Sequence, residues 1–173
     1  MNTVELVQFS LEQALEILGQ VTADLTPEQA DWLPPGCANP IGSMYWHAVS
    51  GADDVVYHWV LGQDPLYQRQ GWMDRVLAVA VPEPREPEKY HEYMQALRVH
   101  LPALHEYAKA VAADLQGWLS TLTPADLERI VHTPIGDHTV AHVLELFVIW
   151  HINAHCGEIS ALKGCQGARG YPF

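Results

Sequence analysis

Apolar residues recur every three to four positions along four stretches of the chain, the spacing of helices that bury one face. In the first, about Val4 to Val21, Leu6, Phe9, Leu11, Ala14, Leu15 and Leu18 form one stripe. The second opens near Asn39-Pro40, runs through IGSMYWHAVSGADDVVYHWVLG and stops at Gly62. The third, LPALHEYAKAVAADLQGWLSTL, starts around Pro102, and the fourth runs from about Thr139 to Gly164. Between them, TPEQADW and TPADL each pair a capping threonine with a proline at the first helical position, so each predicts a short turn of helix. Residues 63 to 88 are irregular, with a helical turn expected around Trp72 to Leu77 and a further helical piece from Glu88 to Arg98. ERIVHTPIGDHT is rich in turn formers and leaves room for a little strand. Four long helices joined by one or two long crossings predict an all-α four-helix bundle, and the length fits one domain over residues 1–173.

The fourth helix is unusual. From Val140 to Ile152 its only charged residue is Glu145, so apolar side chains surround most of its circumference. Such a helix is covered on more than one side. One cover is the bundle core, and the other is expected to be a second copy of the chain, giving a homodimer.

Charge narrows the class of partner. Twenty-one acidic residues against nine basic ones leave a net charge of −12, which argues against nucleic acid, since phosphate calls for a basic face. No apolar run reaches the 18 or so residues of a membrane span. MNTVELVQFSLEQ lacks the basic start and apolar run of a signal peptide. Cys37, Cys156 and Cys165 are odd in number and form no CxxC pair, so the expected compartment is a reducing cytoplasm.

The chemistry is carried by histidine. In VIWHINAHCGEIS, His151 and His155 stand four apart, about 40° around a helix and roughly 6 Å along it, so both imidazoles can reach one metal ion. His138 and His142 share the spacing, but His138 precedes the helix and His142 points about 180° from His151, which makes them a surface or interface pair. A third ligand has to come from elsewhere. The second helix offers His47 or His58, eleven residues apart on similar faces, and the residues alone do not choose between them. His91, His100, His105 and His132 sit among polar or proline-rich neighbours and read as solvated.

The order IGSMYWH on the second helix, WHINAHCGEI on the last and a closing LKGCQGARGYPF resembles the DinB/YfiT-like proteins, a group of metal-dependent enzymes. The resemblance extends over nearly the whole chain. It implies a four-helix bundle whose metal is held by one histidine of the second helix and an HxxxH pair of the fourth. Carried onto this sequence, those ligands are His47, His151 and His155. Members with assigned chemistry are thiol-dependent transferases or isomerases that use low-molecular-weight thiols such as mycothiol or bacillithiol. No residue of this sequence marks a thiol pocket.

Three neutral imidazoles leave a divalent ion such as Zn, Ni or Fe with an open coordination position, the pattern of a catalytic site. HINAH lacks the glutamate of HExxH, so a zincin-type protease is disfavoured. The implied function is a metal-dependent transferase, isomerase or hydrolase acting on a small-molecule substrate; the alternative is a non-catalytic helical dimer, or a ligand-binding protein, with a structural metal. Glu158, three beyond His155, and Asp54, seven beyond His47, are candidates to orient the ligand rings. Cys156 is turned about 100° from His155 and reads as a packed thiol, while Trp46 and Trp150 are expected to wall the pocket.

Overall fold

The computed structural model of the chain describes every residue except Ala80, Arg85 and Phe173. Helix α1 covers Thr3–Thr22 and α2 covers Pro27–Asp31. Helix α3 spans Ile41–Asp54 and continues without a break into a π-helical stretch, Val55–Leu61. Short helices α4 (Leu66–Arg69) and α5 (Trp72–Val76) precede strand β1 (Leu77–Val79). Then come α6 (Tyr90–Ala96), strand β2 (Arg98–Val99), α7 (Leu101–Leu119) and α8 (Pro124–Glu128). A hairpin of β3 (Ile130–Thr133) and β4 (Gly136–Thr139) leads to α9 (Val140–Leu144), a second π stretch (Glu145–Ile149) and α10 (Trp150–Cys165).

The four long helices form a bundle. Helix α10 packs on α1 and α3, and α7 packs on the same two helices, so the four close into a ring around the core. Fully buried Leu11, Ile41, Leu104, Leu115, Leu144 and Ile152 supply one or more layers from each member. The two strand pairs are small antiparallel additions. β1 lies against β2 with Leu77 opposite Val99, and β3 lies against β4 with Ile130 opposite Thr139. Among the described residues no helix is long and apolar enough to cross a membrane.

Local chemistry sets the ends. Asn2 accepts from the Glu5 amide while Glu5 reaches back to the Asn2 amide, satisfying two amide donors at the start of α1. Thr26 with Gln29 and Thr123 with Asp126 repeat the arrangement at α2 and α8, the two threonine-proline turns expected from sequence. Gly62 closes the second long helix at φ +63°, where a side chain would be strained, and its amide reaches back five residues to Tyr57.

The sequence pattern misplaced two features. The apolar stripe drawn on α1 puts Leu6 and Phe9 inward, yet they are 50% and 53% exposed; Val7, Leu11, Ala14, Leu18 and Val21 are the buried set. The fourth helix is not uniform either, because its middle is a π turn in which the Trp150 amide reaches the Glu145 carbonyl. Such a turn holds about one residue more than an α turn and shifts the phase of everything after it.

One buried cation fastens the bundle at the far end. Lys163 is 2% exposed, and its Nζ donates to the Val21 carbonyl at 2.8 Å and to Asp24. The hydrogen bond from Lys163 holds the Asp24 carboxyl below its ordinary value. Lys163→Ala is therefore expected to orphan a buried carbonyl and empty the space of the lysine stem, destabilising the fold by about 2–4 kcal/mol in a denaturant titration.

Candidate metal centre

Two turns of α3 build one wall of the site. His47, Ser50, Gly51, Asp54 and Val55 recur at helical spacing and face a cavity of about 750 Å³. Opposite them α10 presents His151 and His155, one turn apart. The three histidines meet. His151 Nε2 stands 3.0 Å from His47 Nε2 and 3.0 Å from His155 Nε2, and the three ligand atoms lie within 4.8 Å of one another.

The opposite nitrogens say what that meeting means. His47 Nδ1 lies 3.0 Å from the Tyr90 hydroxyl, and His155 Nδ1 lies 2.7 Å from Glu158. A carboxylate only accepts, so His155 donates from Nδ1, and in the neutral tautomer that this contact selects its Nε2 is an acceptor. The same tautomer at His47 lets Nδ1–H donate to Tyr90. His151 Nε2 carries at most one proton, so it can donate to only one of the two nitrogens it meets at 3.0 Å, and the other contact is repulsive unless a cation lies between them. Nitrogens bound about 2.0–2.1 Å from one tetrahedral ion would stand roughly 3.3 Å apart, so the spacing fits a metal with little movement. Burial strengthens the case: it pushes His47 down to about 4 and His151 to about 3, with neighbouring histidines adding to each shift. The rings are thereby kept neutral and able to donate electron pairs.

His151 is held differently. Its Nδ1 is buried with no hydrogen-bond partner among the described residues, and the ring lies against Gly51. A Cβ at residue 51 would come within 3.2 Å of His151 Cε1 and 3.7 Å of Nδ1. Gly51 thus leaves the space the ring occupies. In Gly51→Ala the helix gains propensity, about 1 kcal/mol, while the imidazole is displaced by a few tenths of an ångström. The expected result is an unchanged or higher melting temperature of the metal-free protein together with about tenfold weaker zinc binding in a competition titration.

Other sequence candidates fall elsewhere. His58 is exposed and points toward Asp54 at 3.7 Å, away from the cluster. Asp54 does not touch the histidines of the cluster: it accepts from the Tyr67 hydroxyl at 3.2 Å, because seven residues of helix carry it about 10 Å from His47. Glu158 does reach the His155 ring. Trp46 is buried and lines the cavity, but Trp150 is 61% exposed on the outer side and walls nothing. Cys156 is buried, its thiol pushed up to about 12 by desolvation, and is packed. His138 and His142 stack with centroids 4.5 Å apart, remote from the cluster. His105 is half-buried against the Tyr45 hydroxyl at 3.3 Å, and His91 bonds Asn39, so neither is simply solvated.

The chain aligns with the model of the DinB superfamily over residues 10–159. It belongs to the DinB superfamily. The same fold appears in a crystal structure of a conserved protein from Enterococcus faecalis, with a TM-score of 0.78 and 20% sequence identity, covering 94% of this chain and 96% of that one. No curated protein sequence matches. Membership in the DinB superfamily together with the three-histidine cluster is compatible with a metal-binding protein.

The residues that sequence reasoning missed come from irregular segments. Tyr90, which holds His47, lies at the start of α6 in the long crossover, and Trp59 and Phe147, in edge-to-face contact with centroids 5.4 Å apart, come from the two π stretches. Both line the cavity. A tyrosine in a proline-rich connection carries no periodic signal, and a π turn has no recognisable sequence pattern.

Proposed function

We propose that this DinB-superfamily chain is a metal-dependent enzyme that transfers, isomerises or hydrolyses a small substrate, with a divalent ion held by His47, His151 and His155. One observation carries the reading: three imidazole Nε2 atoms converge beside a cavity of drug-sized volume, and His47 and His151 belong to its wall. A divalent ion held by three neutral imidazoles supplies Lewis acidity and, in its open position, lowers the pKa of a bound group. Imidazole ligands suit Zn, Ni and Fe alike in type, so the set does not name the metal.

The protein's own groups do the rest. With its Nε2 turned to the ion, His47 would carry its proton on Nδ1 and donate it to the Tyr90 hydroxyl 3.0 Å away, which fixes that ring. The Tyr90 phenol is pushed up to about 12 by burial and by Glu83 and Tyr93, so it stays protonated and keeps an O–H to donate to a substrate oxygen or sulfur. Glu158 fixes His155 in the same way from the solvent side. Trp59, Phe147 and Tyr67 give the cavity an aromatic lining. A low-molecular-weight thiol or another small nucleophile would enter along these aromatic faces.

A structural metal would be a staple between α3 and α10, and chelation separates the two roles. The apolar core on both sides of the histidines is continuous without any ion. Protein purified from metal-supplemented medium is expected to hold one equivalent of a divalent ion by elemental analysis. Stripping it with chelator is expected to lower the melting temperature by only a few degrees while abolishing turnover. Purified protein with no stoichiometric ion, or one that unfolds on chelation, defeats the catalytic reading.

A further inference from the structure

Charge and aromatic surface within the cavity are distributed unevenly, and the metal reading leaves that unexplained. Two carboxylates line the cavity, Asp54 and Glu83, and among its described lining residues there is neither lysine nor arginine. Asp54 accepts only from Tyr67 in the cavity, with His58 3.7 Å away on the solvent side. Tyr67 bonds Asp54, and Trp59 and Phe147 line the same cavity, while Tyr90 and Tyr93 stand by Glu83 on the side of His47. Glu83 lies close enough to Tyr90 and Tyr93 to raise both phenols. Aromatic faces carry negative charge density, and combined with carboxylates they select organic cations over anions. The whole chain, at −12, adds a field of the same sign.

Both π stretches contribute to this surface, Val55 and Trp59 from the first and Phe147 from the second. Wide turns of this kind are frequent at functional sites. Distance along α3 then sets the length of the ligand. Asp54 is seven residues from His47 on the same face, about 10 Å along the helix axis. An ion at the histidines would favour an electron-pair donor at one end, and Asp54 with Tyr67, Trp59 and Phe147 favours a positive group at the other.

We infer that the cavity binds an elongated organic cation, an ammonium or quaternary amine on an apolar or aromatic body about 10 Å long, with the cationic head at Asp54. This deepens, and rests on, the reading of the cavity as the substrate site, since it names the class of molecule that site takes.

The test uses three probes that share a phenylalkyl body and differ in the charge of the head: 3-phenylpropyl-trimethylammonium, 3-phenylpropanol and 3-phenylpropanoate. Each is titrated into the 173-residue chain, metal-free and zinc-loaded, with quenching of the cavity tryptophans Trp46 and Trp59 as readout. In metal-free protein the ammonium is expected to bind about tenfold tighter than the alcohol, and the carboxylate weaker than both. Asp54→Asn is expected to weaken the ammonium about three- to tenfold and leave the alcohol unchanged, and Glu83→Gln, on the side of His47, is expected to weaken it less. Equal or tighter binding of the carboxylate to metal-free protein, no binding of any probe, or ammonium affinity indifferent to Asp54→Asn overturns the inference. Zinc content, measured on the same samples, keeps the two readings apart. Cation selectivity without stoichiometric zinc sinks the metal-dependent enzyme alone, and stoichiometric zinc without cation selectivity sinks this inference alone.

Discussion

His151→Ala is expected to reduce bound metal from one equivalent to a trace while the bundle stays folded. Its Nε2 is 3.0 Å from each of the other two histidine nitrogens, so it is the member that joins the pair. Two ligands from different helices remain after its loss, and affinity should fall by at least a hundredfold, more than the ten- to hundredfold typical of an outer partner. Stability should move the other way or hardly at all. The ring is neutral, one of its nitrogens is buried without a partner, and its removal takes away a polar group that folding has to desolvate. Elemental analysis alongside a chemical denaturation curve reads both quantities. Full metal content in the variant would show that the histidine cluster is not the site.

Asp53→Ala should produce the largest loss of stability. The carboxylate is 0% exposed and accepts three hydrogen bonds: from Tyr107 Oη at 2.6 Å, the Leu66 amide at 2.8 Å and the Tyr67 amide at 2.9 Å. Burial raises its pKa while these donors pull the other way. Alanine would leave two amides and a phenol without an acceptor in the core, destabilising the fold by about 3–5 kcal/mol. Asp53→Asn should cost about 1–3 kcal/mol, because one oxygen still serves Leu66 while the new amide faces the Tyr67 N–H. The loss would reach the cavity as well. Asp53 ties α4 to α3 and thereby seats Tyr67 beside Asp54. Urea midpoints for the three proteins, with equal slopes, are the measurement; an alanine variant as stable as the parent would contradict the account.

The adjacent acids show what could and could not be read from the sequence. Asp53 and Asp54 look alike in the string SGADDVV, yet one is a buried anchor and the other lines the cavity. Periodicity gives the face of a helix, but whether that face meets core or hollow depends on what the rest of the chain lays over it. The long helices were legible because each carries an apolar period of many turns. The two threonine-proline starts were legible because capping is local chemistry. For the histidines, spacing alone proposed His151 and His155, and the choice of His47 over His58 came from family resemblance. Geometry accounts for that choice: His58 lies in the π stretch and emerges into solvent. The outward placement of Trp150 was illegible for a related reason, since it directly follows a π turn whose extra residue alters the phase.

That widened turn between Glu145 and Ile149 makes the site a matter of counting as much as of composition. Removing a single residue there would let the coil tighten to regular pitch and swing everything downstream about 100° around its axis. Both imidazoles of α10 would then face another neighbour, though no ligand had been altered. Descendants of this chain can lose the centre through one codon deletion that spares every histidine.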